Sequence, residues 1–434
     1  MGSGLRGLLF LLNRLARYHA HFAPAFARGD QARWAEVYLR GLLSDCERTS
    51  IEPMALHLGV PIRPLPHFIG QSSWSTEPIL AQHQRLVGAT LGDAEGVFWI
   101  DESGVVNQGQ DSVGVAPQDC GAVGNVAHAQ VGVYLGYVSC AGSTLLDGRL
   151  FVPEKWFNEA YGDKRRSTAM PASLTYHTKP EIALDLLPQA MTRDHVPGRW
   201  LAADALYGNS PAFRDGVAAL TLHDVTAVSC DTVIWRRPVA LMVPIYRGNG
   251  RNPTKPKLKT PTNQPYRVDA LAQRLPSRDW TRTTMKEGSK EPLVYDVAMV
   301  RVTEARAGRP GPRLWLIIQR NVADPADVHS YLSNAPEETP AADLARMLGM
   351  RWPVALTVAP GNQEVGLDSY EVRSWPGWHH HMLLVMLAHH FLVWVRREWE
   401  QQAPALTLNQ VRLLLSSVLP RPVFDAERAL ERVA

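Results

Sequence analysis

Two aspartates in this 434-residue chain each close a short apolar run. Val97, Phe98, Trp99 and Ile100 lead into Asp101, and Trp200, Leu201, Ala202 and Ala203 lead into Asp204. Apolar runs of this length read as buried strands, whose carboxyl ends deliver side chains into a site. Carboxylates gathered from such ends can hold two divalent ions, which activate a water or hydroxyl and stabilise the leaving oxygen in phosphoryl transfer. Strand-end aspartates also cap turns and helices, so spacing alone leaves both roles open. Glu102, beside Asp101, joins the candidates. His379, His380 and His381 are adjacent. On a helix such neighbours point about 100° apart and cannot all hold one ion, so packing and hydrogen bonding are expected of them. His389 and His390, inside an apolar stretch, read as satisfied core histidines.

The elements that must position these residues follow from periodicity. Residues 5–92 read as mostly helical, with Trp34, Val37, Tyr38, Gly41 and Leu42 at helical spacing. A Pro-rich link over 60–66 precedes a helix over 77–91, with Ser75 or Thr76 as cap and Pro78 in its first turn. From Gly96 the pattern changes to strands over 97–100, 129–138 and 148–152, and a further strand over 200–203. Between them lies a short helix over 181–187 that Pro188 should end or kink. Interleaved strands and helices predict an α/β core. Residues 236–313 break the pattern, and the Gly/Pro-rich basic stretch 247–259 reads as an exposed loop, either a solvated linker or an arm contacting phosphates. A strand over 314–318, a helix over 341–350 and a long apolar helix over 380–400 complete the reading.

Three blocks of residues resemble bacterial insertion-sequence DDE transposases. The first is Asp101-Glu102-Ser103-Gly104, Ser112-Val113-Gly114-Val115-Ala116, Cys120-Gly121 and Gln130-Val131. The second is Thr178-Lys179-Pro180-Glu181 with Ala183-Leu184, then Ala203-Asp204 with Tyr207-Gly208. The third runs from Glu364-Val365-Gly366-Leu367-Asp368 through Tyr370-Glu371, Arg373-Ser374-Trp375 and Gly377-Trp378-His379. The resemblance begins near Ala35 and covers nearly the whole chain. It implies an RNase H-like α/β core with a helical N-terminal region and an inserted strand-rich segment. The implied division is a helical region over 1–92, a first core part over 93–235, an insert over 236–340, closing core helices over 341–400 and a tail over 401–434.

Such transposases use three acids, and this chain matches two of them with Asp101 and Asp204. The third is a glutamate in a Tyr-x2-Arg-x3-Glu-x6-Lys pattern. Anchored on Arg351 and Trp352, that pattern places Leu348 at the tyrosine, Ala355 at the glutamate and Asn362 at the lysine. Pro360 and Gly361 fall where the helix should continue. Glu364 is no substitute, lying nine residues beyond Ala355, about 13 Å along an intact helix. The turn after Gly104 lacks the lysines common in these relatives. A protein is therefore expected that resembles DDE transposases, with strand transfer lost and the former pocket reused, with acid–base chemistry on a small molecule as one use. Two alternatives remain: a working or weakened transposase, and a non-catalytic DNA-binding regulator. Asp101, Asp204 and Glu102 are the expected catalytic residues, at the wall of a closed, partly apolar cavity, with carboxyls short of cationic partners. No cofactor is expected, although the resemblance implies Mg²⁺ for active relatives.

Composition bounds the partners. With 45 Lys and Arg against 42 Asp and Glu, the net charge is +3, without the cationic excess of proteins that grip long DNA. DNA binding is expected to be weak or absent, and a small-molecule ligand is the expected partner. Cys46, Cys120, Cys140 and Cys230 lie far apart with no CxxC pair, which argues against a zinc ribbon or a disulfide framework and favours the cytoplasm. The apolar run from Leu8 to Leu12 is interrupted by Asn13 and Arg14, and His389 and His390 split the apolar stretch 382–395, so no membrane segment is expected.

Overall fold

The computed structural model describes residues 13–46, 50–107, 109–120, 124–191, 196–246, 251, 254–260, 262–286, 293–350, 365–369, 371–417 and 419. The chain forms two compact units, Met1–Gly198 with Pro353–Ala434, and Arg199–Trp352. The architecture is mixed α/β, in the RNase H-like order of antiparallel strands, a helix and a parallel strand pair.

The first unit opens with helices α1 (Gly29–Leu42), α2 (Ile51–Leu58), α3 (Pro64–Gly70) and α4 (Glu77–Leu91). Helix α4 has the predicted bounds with Pro78 in its first turn, but Thr76 precedes it in helical conformation and makes no side-chain cap hydrogen bond, so the expected cap is not formed there. The link over 60–66 is shorter than expected, because Pro64 starts α3 in its first turn, where a missing N–H costs nothing. Strands β1 (Val97–Val106), β2 (Ala116–Cys120), β3 (Asn125–Ser139) and β4 (Gly142–Phe151) follow, with β1, β2 and β4 all antiparallel to β3. Strand β1 does not stop at Asp101 but runs five residues further. Trp99 lies opposite Gly136, where a Cβ would stand 2.0 Å from the indole, so the glycine makes room for the ring. Helix α5 (Lys179–Met191) continues through Pro188. The proline sits in the last turn, so the kink expected there has little helix left to redirect.

The unit is organised around a central helix, Trp375–Glu398, packed on β4, α1, α3 and α4. It begins five residues earlier than predicted, because Ser374 accepts the Gly377 N–H and Pro376 occupies the first turn. Nearly every side chain from Gly377 to Val395 is buried, so its histidines need partners inside the protein. They find them on separate elements. His380 lies 2.8 Å from the Ile69 carbonyl and 3.0 Å from the Trp74 carbonyl. Tyr38 of α1 donates to His381 Nδ1 at 2.7 Å, and His381 Nε2 donates to the Gly366 carbonyl at 3.0 Å. His389 Nδ1 is 3.1 Å from the Thr144 hydroxyl of β4. His390 joins the Tyr18 hydroxyl at 3.0 Å and the Thr90 hydroxyl of α4 at 2.9 Å. The expectation of packing rather than shared metal ligation holds for these rings.

The second unit carries β5 (Trp200–Ala203), two short helices α6 (Ala205–Gly208) and α7 (Pro211–Ala219), and β6 (His223–Val228), which is parallel to β5. After β7 (Val233–Trp235) come β8 (Leu241–Met242), β9 (Lys257–Leu258), β10 (Tyr266–Arg267), the helix α8 (Val268–Ala272) and β11 (Trp280–Lys286). The long hairpin β12 (Leu293–Arg306) and β13 (Arg309–Asn321) leads to β14 (Val328–Ser333), which pairs antiparallel with β6. Ile234, Val268, Leu271, Val302, Leu316 and Leu332 form its core. Of the basic stretch, 247–250 and 252–253 lie outside the described residues. Residues 341–350 are helical as predicted; Ala355, Asn362, Glu364 and the expected third-acid helix lie outside the described residues.

Burial pushes the imidazoles of His83, His381 and His389 down to about 4. Free imidazoles titrate near 6.5, so the unfolded chain takes up protons first as pH falls. The stability these neutral rings hold is complete above about pH 6.5 and is lost as pH falls toward 4, on the order of 1 kcal/mol per pH unit for each ring. Urea unfolding midpoints should therefore drop steeply between pH 6.5 and 4.5, and His389→Gln should make the slope shallower. A midpoint flat across that window would contradict the assignment.

Candidate active site

Asp101 and Glu102 occupy consecutive positions of β1, facing Tyr134 and Val133 of β3 in the register. Neighbours on a continuous strand point to opposite faces of its sheet, so the two carboxylates do not line one face together. Asp101 is half-buried and its Oδ1 accepts the Glu102 N–H at 2.8 Å.

Glu102 meets the head of α5. Thr178 and Glu181 form a reciprocal cap there, with the Glu181 carboxylate accepting the Thr178 N–H at 2.7 Å and the Thr178 hydroxyl accepting the Glu181 N–H at 3.4 Å. That cap starts the helix and aims Lys179 back at β1. Lys179 Nζ lies 2.6 Å from Glu102 Oε2 and 5.5 Å from the Phe151 ring centroid. Both members of the ion pair are largely buried, with side chains 13% and 23% exposed. The expectation that the candidate carboxyls lack cationic partners fails at Glu102. Lys179 was visible within the second sequence block, but nothing in its spacing announced a partner 77 positions upstream.

Asp204 follows β5 as predicted and caps α6, its Oδ1 accepting the Leu206 N–H at 3.0 Å. The turn below it is held from the second unit's own core. Arg214 donates to the Gly208 carbonyl at 2.7 Å and pairs with buried Glu304, which also binds Arg306 at 2.8 Å. Gly208 has a steric reason to be glycine, since a Cβ there would stand 1.9 Å from the Ala227 carbonyl oxygen of β6. Beside it, Asp224 is buried between the Asn334 N–H and the Thr226 hydroxyl, and burial pushes its carboxyl up to about 6.

The first unit contains a cavity of about 470 Å³, walled by Trp74, Phe157, Trp375 and His379 among others. Neither Asp101 nor Glu102 lines it. Among the described residues, no three of His, Cys, Asp and Glu stand close enough together to hold a metal ion, and no helix is long and apolar enough to cross a membrane.

A family model described as DDE superfamily endonuclease matches residues 21–292. Among curated proteins, nothing matches the chain.

The Glu102–Lys179 pair makes a direct prediction. Removing the ammonium leaves a largely buried carboxylate without its counter-charge, so Lys179→Met should cost about 1–2 kcal/mol in equilibrium unfolding at pH 7. Glu102→Gln in the same background should recover part of that loss. Additive single-site costs in the double-mutant cycle would show that the pair contributes nothing.

Proposed function

Because the chain belongs to the DDE superfamily endonucleases, we propose that it keeps their scaffold and has lost metal-dependent DNA strand transfer, its former active-site pocket being reused for acid–base chemistry on a small molecule. What supports this reading is the sequence alignment anchored on Arg351 and Trp352, which puts Ala355 and Asn362 at the glutamate and lysine of the transposase signature. A two-ion site requires a full set of oxygen ligands to activate the nucleophile and stabilise the leaving oxygen. Asp101 and Asp204 each already spend one oxygen on a backbone N–H, and the Ala355 side chain has no oxygen to offer. Glu102 does not make up the deficit, being tied to Lys179 on the opposite face of β1 from Asp101. The donor set therefore does not fit two Mg²⁺ ions.

The same pairing bears on DNA. Lys179 is committed to a carboxylate, and the end of β1 after Gly104 carries Val105 and Val106, followed by Asn107, rather than cations. Phosphate neutralisation dominates DNA affinity, so binding is weak in this reading. The cysteines Cys46, Cys120, Cys140 and Cys230 are all free thiols, which suits a reducing cytoplasm.

Incubation with terminal-repeat DNA and Mg²⁺ or Mn²⁺ should yield no cleaved or joined product. Calorimetric titration with Mn²⁺ should show no tight stoichiometric binding. Specific strand transfer, or tight Mn²⁺ binding abolished by Asp204→Asn, would overturn the proposal and restore a working transposase.

A further inference from the structure

The cavity of the first unit carries a second set of reactive groups at its rim. Thr175, His177 and Asp185 all line it, together with Arg149 of β4. Thr175 Oγ1 lies 3.1 Å from His177 Nε2, and His177 Nδ1 lies 3.4 Å from Asp185 Oδ2. The order is hydroxyl, imidazole, carboxylate, with each ring nitrogen facing one partner. The Asp185 carboxylate can only accept, so its place beside Nδ1 favours the tautomer with the proton there and Nε2 as the base toward the threonine hydroxyl. Arg149 Nη1 is 3.9 Å from Asp185 Oδ2, which leaves further guanidinium N–H groups at the cavity wall.

The fold places these groups without needing either aspartate of the transposase blocks. Thr175 and His177 end the segment that enters α5, and Asp185 lies on α5 itself. The Thr178–Glu181 cap fixes the start of the helix between them. Thr175 is exposed, and His177 and Asp185 are half-exposed, so solvent and substrate reach the relay. Behind it the cavity is apolar and aromatic, with Leu150, Val152, Phe157, Ile182 and Trp375 in its walls. A volume of about 470 Å³ accepts a small molecule.

We propose that Thr175, His177 and Asp185 form an acyl-transfer site for esters of small apolar acyl groups. Thr175 is the nucleophile, His177 the general base and acid, and Asp185 a positioning residue acting through the ring. Thr175 Oγ1 attacks the ester carbonyl carbon while its proton passes to His177 Nε2. The bond from that carbon to the alcohol oxygen then breaks, and the alcohol leaves with the proton from Nε2. Water repeats the route: its proton goes to Nε2, its oxygen joins the acyl carbon, and the free acid departs as the proton returns to Thr175. This site is independent of the strand-transfer reading, since its residues include none of Asp101, Glu102 and Asp204.

The test uses the full chain with p-nitrophenyl butyrate, following p-nitrophenol release and mapping the butyryl group by peptide mass spectrometry. Release above buffer, with butyrylation at Thr175, is expected. Thr175→Val should abolish it and Thr175→Ser should retain it. His177→Ala should lower the rate about 100-fold, with partial rescue by added imidazole. Asp185→Asn should lower kcat with little change in KM. Unfolding midpoints of the variants within a few degrees of the parent separate lost chemistry from lost fold. No release by the folded parent, release that survives Thr175→Val, or butyryl groups on lysines alone would each overturn the proposal.

Discussion

The first unit depends on keeping several imidazoles uncharged inside one helix. A helix buried on all sides must bring its own means of fixing rotation and depth, because apolar packing alone is tolerant of both. Here the histidines supply the directional contacts. His381 fixes α1 through Tyr38, His380 fixes the end of α3 through Ile69, His390 fixes α4 through Thr90, and His389 fixes β4 through Thr144. Strand β4 pairs along β3, and β3 along β1, so the position of Asp101 is set by a chain of contacts that begins at the central helix. A charged imidazole at His389 or His390 would break it at its origin, since burial without a counter-charge is what depresses both rings.

The residues that carry the family resemblance do structural work of their own. Thr178 and Glu181 cap α5, Gly208 allows α6 to approach β6, and Ser374 caps the central helix. Each would be costly to replace in a protein with no strand transfer at all. These blocks therefore serve the scaffold whatever chemistry the chain performs.

Legibility in the sequence followed the range of the interaction. Helix α4 and strand β5 were readable to the residue, because a first-turn proline and an apolar run are local signals. The histidines were readable as core because helical geometry alone forbids their convergence. The extent of β1 was not, since Asp101 and Glu102 interrupt the apolar run and only pairing with β3 shows that the strand continues. Its continuation is what places the two acids on opposite faces. Pro188 misled for a similar reason: its cost depends on how much helix follows, which the residue itself does not encode. The Glu102–Lys179 and Arg214–Glu304 pairs join positions far apart in the chain, and no periodicity connects them.

Range also separates the acids of a DDE arrangement from the proposed relay. A DDE arrangement needs carboxylates from segments far apart in the chain, near positions 101, 204 and 355. The Thr175–His177–Asp185 relay spans eleven consecutive residues around one helix start, inside one unit. Its geometry is fixed by a local cap and by the cavity wall the central helix provides. The buried histidines of the central helix set a lower pH limit for any function the first unit performs.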